Sequence, residues 1–310
     1  MSDSHRRQDA APVLRPDLRA LNAPRLATLR AQPAFSQAMA QWAADLVGRY
    51  DGNRLLNRLL NDRERAMFAL MALYLHLTPD ESGAGLTAGR IIALCGETQL
   101  CSRGRAKAML VLMRWAGYIE PAPAGRADRR QRPLVPTAAF FSSQVERWRS
   151  IYEAVALLDP IGTMALERLE DQAFRIHVVR GIIDRFRAGE RLLDHAPALA
   201  LFAARDCGLM VLLALALSRA PDDPFPPQGV LTVPVAALGR RFHVSRAHVL
   251  KLLRDAETAG LLERPDRASG GLRLQPPLRQ GLTDFFAAVF VLFADTARDA
   301  CAAISAAPRP

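Results

Sequence analysis

Two short stretches of the chain put cations and a hydroxyl at helical spacing: "SRGRAK" (102–107) and "SRAHVLK" (245–251). In each, a serine is followed by one base at the next position and another two further on. These are Arg103 and Arg105 in the first, and Arg246 and His248 in the second. Lys107 and Lys251 follow within about a turn, the only two lysines beside 39 arginines. Side chains of this kind bind anions and the hydrogen-bonding edges of planar groups, because a guanidinium offers a rigid fork of donors. They are also an odd way to begin a helix. The N-terminus is the positive end of the macrodipole and favours acids, and a serine cap is best complemented by Glu or Gln at the third position after it. Placing Arg105 and His248 there costs about a few tenths of a kcal/mol. A nearby phosphate would reverse the sign of that cost. The competing explanation is a solvated basic face on an arginine-rich protein.

The elements that must hold these residues occur twice. "SRGRAKAMLVLMRWAGYIE" (102–120) aligns without gaps on "SRAHVLKLLRDAETAGLLE" (245–263), at a spacing of 143. Upstream, 86–101 matches 231–244 with two extra residues, and 68–85 parallels 211–229; downstream, 134–145 parallels 274–285. The period is too long for a solenoid, so one unit is written twice. Each copy predicts a long apolar helix (about 62–77 and 205–219), a Pro/Asp/Gly-rich loop and a short helix (88–95 and 233–241). A tight turn follows, then a helix ending at Ala-Gly (102–116 and 245–259). Two extended segments bracket a Gly/Arg-rich loop (118–135 and 261–275), and a closing helix ends the unit (138–157 and 282–303). The expected division is a flexible Arg/Pro-containing arm at 1–34, a first unit at 35–160, and a linker helix with the second unit at 161–310. The strongly helical stretch 164–193 is either the linker or part of the second unit.

A mainly α protein with two tandem winged helix-turn-helix units follows from this order, each with a small two-stranded wing. In such a unit the second helix of the turn enters the major groove of duplex DNA. Helical spacing turns Cys101, Ala106, Met109, Leu110 and Met113 inward in the first copy, and Val244, Val249, Leu252, Leu253, Ala256 and Leu261 inward in the second. The faces left outward carry Ser102, Arg103, Gly104, Arg105 and Lys107, and Ser245, Arg246, Ala247, His248, Lys251, Arg254 and Asp255. Ser102 and Ser245 are placed as N-caps. Arg103, Arg105, Arg246 and His248 are the candidates for base edges. Lys107, Lys251 and the wing arginines are the candidates for phosphates: Arg126, Arg129, Arg130 and Arg132 in the first wing, and Arg264, Arg267 and Arg273 in the second. The location of charge agrees. The net charge of +10 resides in residues 85–135 (+6) and 230–275 (+4), and the remaining 213 residues sum to zero. A compositional arginine bias would not sort charge in this way, whereas a footprint for a polyanion would.

"VSRAHVLKLLRDAETAGLLER" (244–264), followed by the Leu-Thr-led "GLTDFFAAVFVLFA" (281–294), resembles the winged-helix transcriptional regulators of bacteria, with the MarR family nearest. The resemblance implies double-stranded DNA as partner, a transcription-regulating function without enzymatic activity, and dimerisation through terminal helices. The chain departs from the family by carrying two units. That suggests an intrachain pseudo-dimer reading an asymmetric site, and it leaves open both an effector pocket and a homodimer through the terminal helices. Two alternatives share the architecture: plasmid-type replication initiators, and tandem winged-helix scaffolds for protein interaction, whose helix faces are usually not basic.

Other chemistries find little support. Cys95, Cys101, Cys207 and Cys301 form no CxxC pair, and Cys95 and Cys101 read as small buried hydrophobes. No HxxxH or HExxH array predicts a metal, and no GxxxxGK[ST], GxSxG or GxGxxG in context predicts a cofactor or nucleophile. Trp42, Trp115 and Trp148 read as core or interface anchors rather than a base-stacking platform. The longest apolar runs, 208–218 and 285–294, fall short of the roughly 20 residues of a membrane span. With no apolar segment at the N-terminus, the expected location is the cytoplasm, on the nucleoid when bound.

Overall fold

A computed structural model describes residues 21–53, 63–81, 83–123, 133–232, 235–265 and 271–306. The chain is mainly helical, with two small antiparallel two-stranded sheets. In order come α1 (Ala23–Arg30), α2 (Phe35–Tyr50), α3 (Arg63–Leu77), α4 (Ala88–Glu97), α5 (Arg103–Trp115), β1 (Ile119–Pro121), β2 (Leu134–Pro136), α6 (Ala138–Ala156), α7 (Ile161–Glu167) and α8 (Gln172–Arg187). After two short 3₁₀ turns come α9 (Ala200–Ala203), α10 (Gly208–Leu217), α11 (Val235–Arg241), α12 (Arg246–Thr258), β3 (Leu262–Glu263), β4 (Arg273–Leu274) and α13 (Pro276–Ala306).

The repeated sequence becomes repeated backbone geometry. Ser102 Oγ accepts from the Arg105 N–H at 3.3 Å and Ser245 Oγ from the His248 N–H at 3.0 Å, so both serines satisfy orphan donors of their helices. Both helices stop at Ala-Gly, with Gly117 and Gly260 left-handed (φ 71° and 68°). The following N–H groups close the same six-residue loop, Tyr118 to Met113 O and Leu261 to Ala256 O, each at 2.9 Å. The helices before them end alike: Gln99 and His243 take left-handed φ (53° and 54°), and Leu100 N–H and Val244 N–H reach Cys95 O and Gly239 O at 3.0 Å. This fixes where the first copy is longer. One extra residue precedes Cys95, and the other is Cys101 itself.

Each unit also has a third extended residue. Leu86 bridges to Leu134 and Leu231 to Leu272, which sews the loop before the short helix onto the hairpin. All four leucines are at most 9% exposed. A single residue is too short a period-two pattern to show in the sequence.

The two units share one core. α2 and α8 are both 16 residues long, and each packs against the first helix of the other unit: α2 on α10, α8 on α3. Charge-reversed ion pairs tie these crossings. Arg187 at the end of α8 meets Glu97 at the end of α4 at 2.7 Å, while Asp51 after α2 meets Arg241 at the end of α11 at 2.9 Å. The stretch 164–193 is therefore no single linker helix. It breaks between α7 and α8, and α8 is the second unit's counterpart of α2.

α13 runs 31 residues, starting six positions earlier than the helix expected from 282. It packs on α1, α6, α7 and α8. Phe286 and Phe290 hold Trp42 at centroid distances of 5.1 and 5.6 Å. Burying each such phenylalanine contributes about 1.5–3 kcal/mol. Phe286, Phe290 and Phe293 of this terminal helix are buried within the chain. The expected arm at 1–34 also needs correction. Residues 1–20 lie outside the described residues, but 23–30 form α1, capped by Asn22 and pinned to α13 by Arg25 on the fully buried Asp295 (2.6 Å) and by Arg30 on Asp284. Those partners lie some 250 positions away, so no local pattern announced the helix.

Candidate nucleic-acid interface

α5 and α12 each bury one face and expose the other as their spacing dictates. Ala106, Met109, Leu110 and Met113 are buried, as are Val249, Leu252, Leu253, Ala256 and Leu261; Cys101 and Val244 are half-buried. Ser102, Arg103, Gly104, Arg105 and Lys107 are exposed, as are Ser245, Arg246, Ala247, Lys251 and Arg254, whereas His248 and Asp255 are half-buried.

The bases at the third helical position turn out to have partners inside the chain. Arg105 lies 2.6 Å from the Glu64 carboxylate at the start of α3, and the His248 ring lies 3.0 Å from the Asp206 carbonyl just before α10. The same position in both copies thus ties its helix to the opening of the unit's first helix. This supplies an intramolecular reason for a base where a capping box wants an acid: the favourable contact offsets the dipole cost. Arg105 and His248 act as positioning residues here, and the structure does not bring them forward with Arg103 and Arg246.

The remaining cations separate into paired and unpaired. Asp255 holds Arg205 at 2.7 Å and Lys251 at 3.3 Å. In the second hairpin Arg264 pairs with Glu257 at 2.7 Å and Arg273 with Glu263 at 3.5 Å. Arg126, Arg129, Arg130, Arg132 and Arg267 fall outside the described residues. Arg103, Lys107 and Arg114 on α5, and Arg246 and Arg254 on α12, are exposed and have no acid or carbonyl partner among the described residues. Arginines of the shared core such as Arg25, Arg185 and Arg298 are ion-paired. Arg114 was missed by sequence reasoning, although its place two turns beyond the exposed Lys107 on the same helix face was the available signal.

No protein-family model, curated protein or solved structure matches the chain. Function therefore has to be argued from its own residues.

Those residues differ between the two helices. Val111 and Trp115, one turn apart on α5, are 67% and 68% exposed, so Trp115 is not the core anchor it could have been; Trp42 and Trp148 are. The aligned positions on α12 are Arg254 and Thr258. Between the units lies a cavity of about 250 Å³, lined chiefly by apolar side chains of α2, α3, α8, α10 and α13. The buried Arg185 reaches it, pairing with Asp299 at 2.8 Å while its Nε has no hydrogen-bond partner among the described residues. Among the described residues no group of three His, Cys, Asp or Glu side chains is placed to hold a metal ion, and no single helix is long and apolar enough to cross a membrane.

Proposed function

We propose that the chain is a duplex-DNA-binding protein, a transcriptional regulator built as two tandem winged helix-turn-helix units in one pseudo-dimeric body. On this reading α5 and α12 are recognition helices, and the hairpins β1–β2 and β3–β4 are the bases of the wings. The observation that carries it is the set of exposed cations Arg103 and Lys107 on α5 and Arg246 and Arg254 on α12, which have no acid or carbonyl partner among the described residues. Arg103 and Arg246, the first residues of α5 and α12, sit at the positive ends of their helices and cost stability there, and a polyphosphate backbone offsets that cost by releasing counterions. The sorting of all net charge into 85–135 and 230–275 supports the same reading. Because the two faces differ in sequence, the site read is asymmetric, and the chain performs no catalysis of its own.

Selection of bound duplexes from a random pool tests this. A single asymmetric motif is expected. A palindrome would point to an ordinary dimer of chains, and no enrichment would overturn the reading.

A second reading is favoured by one observation. The exposed Val111–Trp115 pair gives α5 an apolar half where α12 has Arg254 and Thr258, which suits a protein partner better than a phosphate. Under that reading the chain is a protein-interaction scaffold, and Trp115→Ala abolishes partner binding while leaving duplex affinity unchanged.

A further inference from the structure

The cavity between the units is long for its volume. α13 lays one stripe of side chains along it, Leu282, Phe285, Val289 and Leu292, over about 15 Å of helix axis. α2 lays another from Trp42 to Tyr50, over about 12 Å. A volume of about 250 Å³ drawn out over such a length is a narrow slot rather than a round chamber. Its walls are chiefly aliphatic, and α3 and α10 contribute the half-buried Met67 and Met210. Unbranched methionines adapt to the outline of what they touch. An apolar cavity of about 150 Å³ accepts benzene, so one of this size takes about ten heavy atoms.

The walls are also cationic. Arg147, Arg185, Arg191 and Arg205 line the slot, and Glu190 is the one acid lining it among the described residues. Arg147, Arg191 and Arg205 are half-buried, whereas Arg185 is 4% exposed. A guanidinium keeps its charge at that depth. Arg185 Nη1 donates to Gly181 O at 3.2 Å and Nη2 to Asp299 at 2.8 Å, which leaves its Nε–H without an acceptor among the described residues. The Trp42 indole N–H, on the same walls, has none either. A buried donor without an acceptor costs stability, and a void costs the contacts its walls would make. One occupant with an apolar body and an anionic, accepting end removes both costs.

We propose that this cavity is a binding site for a medium-chain monocarboxylate. The unbranched alkyl body lies in the slot along the α13 stripe, and the carboxylate is received by Arg185. Octanoate, with ten heavy atoms, has the size the volume sets. The site goes beyond the duplex-binding reading and does not depend on it, so its test contains no DNA.

The full chain is titrated with sodium octanoate in a calorimeter. Saturable binding of one molecule per chain is expected. 1-Octanol, which keeps the alkyl body and lacks the charge, binds roughly ten- to a hundredfold more weakly. Met210→Trp puts bulk from α10 into the slot and abolishes binding while the helical circular dichroism is retained. Arg185→Gln holds octanoate no better than octanol. If either variant fails to fold, an octanoate analogue carrying a photoreactive diazirine decides on the unmodified chain, with cross-links expected on the α2, α3, α8, α10 or α13 walls. Absence of saturable binding, octanol held as tightly as octanoate, undiminished binding by folded Met210→Trp, or cross-links only outside these walls overturns the proposal.

Discussion

Arg246→Ala should move stability and DNA affinity in opposite directions. Arg246 is the first residue of α12, next to the Ser245 cap, exposed and unpartnered among the described residues. Its charge sits at the positive end of a 13-residue helix, so removing it relieves about 0.3–1 kcal/mol of dipole repulsion at low salt. No packing is lost with it, because the apolar face of α12 is carried by Val249, Leu252, Leu253 and Ala256. If Arg246 reads a base edge, losing one good bidentate contact costs about 1–3 kcal/mol of discrimination, or roughly 5–150-fold in the dissociation constant. The assay pairs thermal unfolding with fluorescence anisotropy on a selected duplex and on a scrambled one. The expected result is an unchanged or slightly raised melting temperature, a weakened selected duplex and a much smaller effect on the scrambled one. Equal loss on both would reassign Arg246 to the backbone. Unchanged affinity on both would refute the argument that an unpartnered cation at this place is kept for a polyanion.

The same reasoning sets three further expectations. If Lys107, Lys251 and Arg254 neutralise about three phosphates, affinity falls roughly 40-fold between 50 and 200 mM salt; a flat salt titration would remove the electrostatic argument. Asp255→Asn frees both Arg205 and Lys251, so non-specific duplex affinity should rise, by up to about eightfold per added phosphate contact at 0.1 M salt; a drop in anisotropy-measured affinity would contradict it. Ser245→Ala removes the cap on His248 N–H and should cost about 1 kcal/mol in chemical denaturation, whereas an unchanged midpoint would mean that water or a neighbouring group serves the exposed donor equally well.

How much was legible depended on the range of the forces involved. The α5 and α12 faces were readable because burial there follows the 3.6-residue period, and Met109, Leu110 and Met113 fall on the inward side by spacing alone. The caps Ser102 and Ser245 and the stops Gly117 and Gly260 were readable because each is decided within five residues. The third bridging residues Leu86 and Leu231 were not, since one residue makes no period.

From the sequence by itself came the duplication, the helix–turn–helix–hairpin order of each copy and the confinement of net charge to two segments, all properties of composition and near-neighbour spacing. Tertiary structure alone decided which cations remain available. It spent Arg105 on Glu64, His248 on the Asp206 carbonyl and Lys251 in part on Asp255, while leaving Arg103, Lys107, Arg246 and Arg254 to solvent. It also laid α2 and α8 across each other's units and closed α13 over Phe286 and Phe290. The contacts of Arg105, His248 and Arg25 join residues 41 to 270 positions apart, and such relations exist only once the chain has folded back on itself.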